Sequence, residues 1–484
     1  MPEQKLTWYQ LILINIYYLG LTSLAQTLTP LVLPLLIQEF VGEGQQGTYY
    51  GNLRLWTLMV ALLVQSLMGL ASDRSTLKWG KRRPFILAGS IVNMLLVIAI
   101  GVSASLSGQQ GYWVLFGLAI LIMVATNTSQ GALQGFIPDL VPPTQRGLAS
   151  GVKALFEIPL PLILVAFTIA PFIARGHLWT ALLVLIGIIL ISVSLAMFVH
   201  EPQPDQNSKP INWQPFFRLV VMTGVFTGII LVFGLAIKLI TGFIGTNHGL
   251  RNAIVLLGIA GFAAIAAAIG LGVLISIRIG LGQHTTSQNS GFSWWVVNRL
   301  AFLAGSVNIA SFAVFYIQSR LGYTQEQAAG PASLLLLIVG VLILVTAIPS
   351  GWIADRVGYK NVLMLSGITA AMGVVIILLA NTLTPVFFGS VLIGISTGTF
   401  YTTNWALGTA IVPPAEAGRF LGIANLAGAG AGAVGAFIGG PLADFFTSTY
   451  PDHQGIGYVV LFAIFGILFL LSTIALKFIN SPVK

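Results

Sequence analysis

Fourteen separate stretches of this chain are apolar for long enough to cross a lipid bilayer, which takes about 20 residues of helix. They lie near 8–38, 47–72, 84–106, 111–139, 145–174, 178–200, 216–243, 250–279, 292–320, 330–353, 361–381, 384–411, 418–446 and 456–478. In hydrocarbon every backbone N–H and C=O must find its partner inside the protein, so runs of this length fold as helices. The expected fold class is therefore all-α integral membrane. The first run is too long for a signal-peptide core and carries no cleavage-site pattern, so it counts as a span. Composition excludes the alternatives. With 7% charged residues in 484 positions, a water-soluble fold could not cover its surface. That removes soluble enzymes and disordered proteins. Without cysteine there is no disulfide, no thiolate metal site and no cysteine nucleophile.

Two polar breaks, 201–215 and 282–291, group the spans as six, two and six. The expected organisation is a six-helix half over 1–200, a linker with two additional transmembrane helices over 201–291, and a second six-helix half over 292–484. An even count puts both termini on one side. Placing them in the cytoplasm puts 16 of the 22 Lys and Arg in or near cytoplasmic loops, as the positive-inside rule requires. The net charge of +9 is then topological, and no nucleic-acid partner is expected. Aromatic pairs at span ends (Tyr49 and Tyr50, Tyr112 and Trp113, Trp294 and Trp295) read as interfacial anchors. A multi-pass protein of the plasma membrane with cytoplasmic termini is the expectation.

The halves repeat. The loop after span two runs from Gly69 through Asp73 and Arg74 to Gly80, Lys81, Arg82, Arg83 and Pro84. Far downstream stands Gly351 with Asp355, Arg356 and Lys360. The shared G-x-x-x-D-R cores are 282 residues apart, and Val141-Pro142-Pro143 with Arg146 is echoed by Val412-Pro413-Pro414 with Arg419. Both echoes keep the same orientation to the membrane, which makes a parallel repeat. These loops, with twelve spans in two halves, resemble the major facilitator superfamily. The string from Ser72 through Trp79-Gly80-Lys81-Arg82-Arg83-Pro84 is similar to the sucrose–proton symporters, and beyond them to the glycoside–pentoside–hexuronide:cation symporters. The resemblance covers both halves but not 216–279. It implies a major facilitator fold of two six-helix halves, here with two extra central helices (14 spans), and a loop that latches the cytoplasmic side. Asp73, Arg74, Asp139 and Arg146, with Asp355 and Arg356 as a weaker twin, are the latch candidates. Lys78, Lys81, Arg82 and Arg83 read first as topology-setting charges that touch anionic lipid.

Charged and polar groups inside spans are costly and tend to be functional. Glu157 falls near the middle of span five, one turn beyond Lys153 and just before Pro159 and Pro161. A carboxylate at a kink can load and release a proton, so Glu157 with Lys153 is the proton-coupling candidate. A structural pair tying span five to a neighbour is the competing reading. Arg54 and Arg299 are the other intramembrane cations; each awaits a partner or snorkels to an interface. Glu157 reads as the only clear mid-membrane acid. Asn127, Gln130 and Gln134 sit at i, i+3 and i+7 of span four, one helical face suited to sugar hydroxyls or to interhelical hydrogen bonds. Asn127, Gln130, Gly131 and Asp139 match the sucrose symporters' fourth helix, but Met123 stands where that family has an aspartate thought to couple the proton. Proton coupling, if present, must then have moved, with Glu157 as the candidate; otherwise the chain is a facilitator, or its substrate differs. Tyr401, Asn404 and Trp405 in the span near 384–411 suit a sugar ring, whose apolar face stacks while its hydroxyls hydrogen-bond. Asn308 and Ser311 are candidates for the same cavity, Gln26 and Asn425 weaker ones, with core packing as the competing reading. The span near 418–446 carries the small-xxx-small pairs Gly428 with Gly432 and Gly435 with Gly439, which favour close helix packing.

No Walker loop or dinucleotide fingerprint is evident, and the histidines lack metal-ligand spacing, so no cofactor, metal or catalytic residue is expected. The chain reads as a secondary transporter and not an enzyme. Its partners would be the bilayer, a small-molecule substrate and a proton or other cation. A sugar or glycoside carried by symport is the leading solute, bound at the midplane between the halves. A more apolar solute (drug, pigment or lipid) and a non-transporting sensor or assembly relative remain the alternatives.

Overall fold

The computed structural model describes residues 5–201, 213–244, 249–282, 290–412 and 417–479, except for the side chains of 417–419, 421–423 and 425. Most of both polar breaks, positions 413–416 of the second echo and the side chains of Asn425 and Arg419 lie outside the described residues. Among those described there is no strand. Thirteen helices are long and apolar enough to cross a membrane, or fourteen if one bent pair is a single span. In chain order they are α1 (Trp8–Val41), α2 (Gln46–Asp73), α3 (Arg83–Ser103), α4 (Gly108–Leu140), α5 (Pro143–Ile173), α6 (Leu178–Ala196), α7 (Gln214–Ile244) and α8 (Leu250–Leu281). Then follow α9 (Ser290–Ser311 with Ala313–Leu321), α10 (Ala329–Val357), α11 (Tyr359–Leu378), α12 (Leu383–Ile411), α13 (Ala417–Thr449) and α14 (Ile456–Phe478). The chain is a multi-pass membrane protein.

The helices break where the sequence removes backbone donors or strains the ladder. In α1 a π-turn covers Leu28–Val32 around Pro30. In α5 the helix from Arg146 stops at Glu157; Ile158 leaves helical geometry (φ −120°, ψ −74°) and Pro159 opens the next segment. A π-turn at Val165–Ile169 follows in the same span. In α9 the bend is 57° at Phe312. Prolines also lie inside α10 (Pro349) and α13 (Pro441) without ending the helix.

The chain divides into two compact units, one of residues 1–36 and 60–216, the other of 37–59 and 217–484. In the first, Leu11, Tyr17, Ile86, Leu133, Phe136 and Val193 form a buried cluster joining α1, α3, α4 and α6. The second holds the C-terminal end of α1 and the N-terminal half of α2 with α7 to α14. Phe302 of α9 lies flat on Phe400 of α12, centroids 3.7 Å apart. The two central helices are built into this unit. Phe226 of α7 fills the space beside Gly272 of α8 and Gly430 of α13, and Phe437 of α13 does the same beside Gly234 of α7. The backbone of α13 approaches that of α2 closely at Gly440 and Gly51. A Cβ on Gly440 would collide with the Gly47 carbonyl, and one on Gly51 with the Ala436 carbonyl. Of the glycine pairs expected to mediate packing, Gly435 faces Asn308 and Gly439 faces Leu461, both side chains.

Candidate functional site

In the first unit the charges of the α2–α3 loop converge on one arginine. Gly80 has φ +131°, a conformation glycine adopts freely, and Pro84 starts α3 with its φ already helical. This turn drives Arg82 inward until it is 5% exposed. Its Nη2 pairs with Asp73 and, at 2.9 Å, with Asp139; Nε also donates to Asp139 at 3.0 Å, and Nη1 to Ser72 Oγ at 2.7 Å. Lys81 stands 3.3 Å from Asp139 and 3.8 Å from Asp73. The Glu201 carboxylate accepts the backbone N–H groups of Lys81, Arg82 and Arg83 at 2.6–2.8 Å, the entry to α3 where a helix favours negative charge. Arg146 instead donates to the carbonyls of Pro138 and Val141. The twin loop is different: Asp355 accepts from the Tyr359 hydroxyl at 3.0 Å, and Arg356 lies 3.7 Å over the Trp352 ring. Asp73 and Asp139 are thus brought together through Arg82, a residue the sequence ranks with its basic neighbours.

In α5, Lys153 Nζ lies 3.5 Å from Glu157 Oε2, and the carboxylate is 38% exposed at the last residue before the break. The ammonium also sits 4.7 Å over the Tyr18 ring of α1. The α4 amides do not share one environment. Asn127 is buried and donates to Met123 O, one turn back in its own helix; Gln130 is half-buried; Gln134 is exposed where the first segment of α4 ends at Leu133. Gln26 is half-buried in α1.

In the second unit a chain of hydrogen bonds links α9, α12 and α14. Arg299 Nη1 donates to Asn404 Oδ1 (2.9 Å), Asn404 Nδ2 to Asn298 Oδ1 (2.8 Å), and Asn298 Nδ2 to Ser472 O and Oγ (2.8 Å each). Trp295 Nε1 donates to Asn404 O at 2.8 Å. The Arg299 guanidinium stands 5.3 Å from the Trp405 ring and 6.0 Å from the Trp295 ring. Trp405 and Tyr401 remain 40% and 38% exposed. Asn308, by contrast, donates to Ala304 O and Ala431 O and acts as a helix tie. Arg54 is buried, and its Nε has no partner.

The sequence reading missed one acid. Asp444 lies in α13, five residues from its end, is 6% exposed, and accepts the N–H groups of Gly47 (2.8 Å) and Thr48 (2.6 Å) in the first turn of α2. Its partners are almost 400 residues away in the chain, so only the preceding Gly439-Gly440-Pro441 hinted at a special backbone.

Comparison with known proteins follows from this geometry. The family model described as Major Facilitator Superfamily matches residues 16–287 and 294–484. A sucrose transport protein of Arabidopsis thaliana is 35% identical over 121 residues, 20% of this chain and 19% of that protein. The human solute carrier family 45 member 4 is 31% identical over 136 residues, 26% of this chain and 17% of that protein. These matches therefore span about a fifth of the relatives' length. Among solved structures, a D-xylose–proton symporter aligns with TM-score 0.65 at 14% identity, covering 98% of each chain. The nucleoside transporter NupG aligns at 0.62 and 12%, covering 97% of this chain and 98% of its own. At such identities these two establish the fold alone.

Proposed function

The chain belongs to the major facilitator superfamily of transporters, and we propose that it carries a sugar or glycoside by alternating access, coupled to protons. The carrying observation is the α9–α12 cluster. Half-exposed Trp405 and Tyr401 offer flat apolar faces beside the Arg299 guanidinium, which the buried Asn404 amide holds in place; flat faces beside hydrogen-bond donors are the combination that holds a sugar ring. The local matches to sucrose transport proteins support the same class. Gln130 and Gln134 of α4 and Gln26 of α1, whose amides are not fully buried, are proposed as further contacts.

Glu157 is the proposed proton carrier. It ends a helix segment, is partly exposed, and is held by Lys153 at 3.5 Å, a spacing that a proton on the carboxylate would loosen. Asp73, Arg82 and Asp139 are proposed as the core of the loop latch. The termini are proposed to be cytoplasmic, in the plasma membrane, with 1–200 and 292–484 as the repeated halves and 201–291 as the insertion.

Uptake of a sugar panel into proteoliposomes, with and without an inward proton gradient, tests this reading. Gradient-driven accumulation is expected in the wild type. Glu157→Gln should still equilibrate the sugar but no longer concentrate it. Accumulation by the variant at wild-type level removes Glu157 from the coupling step. Failure of every sugar, with tight binding of an apolar compound, replaces the solute class.

A further inference from the structure

At the N-terminal end of α2, two helices from different proposed halves meet backbone to backbone. Gly440 of α13 lies against the Gly47 carbonyl, and Gly51 of α2 against the Ala436 carbonyl. A seam of glycines interlocks no side chains, so it can part without repacking a core. One turn beyond Gly440, Asp444 closes this seam. Its Oδ1 accepts the Gly47 N–H at 2.8 Å and its Oδ2 the Thr48 N–H at 2.6 Å. An ionised carboxylate suits the place, because both oxygens then accept and a helix N-terminus favours negative charge. A proton would cancel that charge and turn one oxygen into a donor facing a donor.

Groups on several elements oppose and support the charge. Burial disfavours it. The Tyr458 hydroxyl of α14, which accepts from Gln46 Nε2 at 3.0 Å, feels both Asp444 and a second acid, Glu43 of the α1–α2 turn. The cation whose field reaches Asp444 is Lys238 of α7, one of the two additional helices. The packing of α7 puts it there. Gly234 of α7 receives the Phe437 ring of α13; Lys238 stands one turn beyond Gly234, and Asp444 two turns beyond Phe437. Lys238 is exposed and forms no ion pair among the described residues, and Ser448, one turn past Asp444, is exposed too. Water therefore comes within a helical turn of the buried acid.

We propose that Asp444 is a proton-binding residue of the transport cycle, separate from Glu157. Ionised, it clasps α2 to α13 and keeps that side of the protein shut; protonated, it releases them. Lys238, supplied by the inserted helix α7, sets the pH at which the clasp lets go. The inference rests on alternating access between the two halves, and on neither the solute class nor the role of Glu157, so a failed sugar panel leaves it standing.

The test is the distance between two spin labels across the seam, measured by pulsed electron paramagnetic resonance on the full-length protein in lipid, without solute. The chain has no cysteine, so Gln45→Cys in the α1–α2 turn and Gln454→Cys in the α13–α14 turn are the only labelled sites. At about pH 8 the labels are expected mainly at a short distance, with a longer-distance population that grows at least threefold by about pH 5. Asp444→Asn, neutral at every pH, should show the longer population throughout. Lys238→Met changes an exposed side chain and leaves the clasp itself intact. It should move the midpoint toward alkaline pH by at least half a unit, about threefold in proton concentration, and Glu43→Gln should move it the other way. A distance distribution that ignores pH overturns the proposal, as does a pH response that survives Asp444→Asn. If Asp444→Asn fails to fold, the two remaining variants decide: unmoved midpoints in both overturn the proposal. An unmoved midpoint in Lys238→Met alone overturns the part assigned to α7.

Discussion

At the residue scale the charges divide by burial, a property the sequence does not carry. Lys78, Lys81, Arg82 and Arg83 are equivalent as a basic run, but only Arg82 is driven inside, where it serves Asp73, Asp139 and Ser72 together. Removing one partner of a buried ion pair costs 3–5 kcal/mol. Here the carboxylates are 50% and 33% exposed and water screens them, so about 1–3 kcal/mol is expected for Arg82→Gln. Arg82→Lys keeps the charge and loses the fork, so it should recover less than half of the deficit. Melting temperatures of the two variants check this, with Lys78→Gln as an exposed control expected to stay within about 0.5 kcal/mol of wild type. Equal losses in all three would return Arg82 to the topology-setting group. Legibility followed sequence distance. Lys153 and Glu157 are four apart on one helix, and their pairing was readable from spacing alone. Arg82 and Asp139 are 57 apart, and Asp444 lies 397 from Gly47, so the fold had to bring them together. The α4 amides show what spacing leaves out. A shared face was readable, but burial along it was not: Asn127 is buried, Gln130 half-buried, and Gln134 exposed at the end of the segment.

At the element scale the spans were the most legible feature, because bilayer thickness fixes helix length whatever the side chains do next. The breaks at Pro30 and Pro159 were legible for the same local reason, whereas the 57° bend at Phe312 has no proline or glycine at its centre and gave no signal. The α2–α13 junction was half legible. Glycines announced close packing, but the pairs that spacing favoured, Gly428 with Gly432 and Gly435 with Gly439, are not the ones that touch backbone. Gly440 and Gly51 are, and Asp444 caps α2 within one turn of Gly440. A methyl group at either glycine must push two backbones apart, an overpacking cost of about 1–3 kcal/mol. Gly440→Ala and Gly51→Ala should each lower the melting temperature. Because the displacement made by one relieves the other, the double variant should lose less than the sum of the two. Strict additivity, or no loss from either, would mean that the helices do not meet there.

At the scale of the whole molecule, the positive-inside count and the bend in α9 make one joint prediction. If α9 crosses once despite its bend, there are fourteen spans, and Arg356, Lys360 and Lys477 share the side of the α2–α3 loop with its run of basic residues. If the bent pair turned back without crossing, every later loop would invert. Those three cations would then face outward and only Arg320 would move in, against the bias that sets orientation. The chain contains no cysteine, so single cysteines report the side of each loop without background. Thr76→Cys in the α2–α3 loop should react with a membrane-impermeant maleimide only after permeabilisation. Ser107→Cys, Thr324→Cys and Thr382→Cys, in the α3–α4, α9–α10 and α11–α12 loops, should react in intact cells. Protection of Thr324→Cys and Thr382→Cys alongside exposure of Ser107→Cys would make α9 re-entrant. That result would also strip the cytoplasmic assignment from the second-half loop of Asp355 and Arg356, and with it the parallel repeat on which the two-half reading stands.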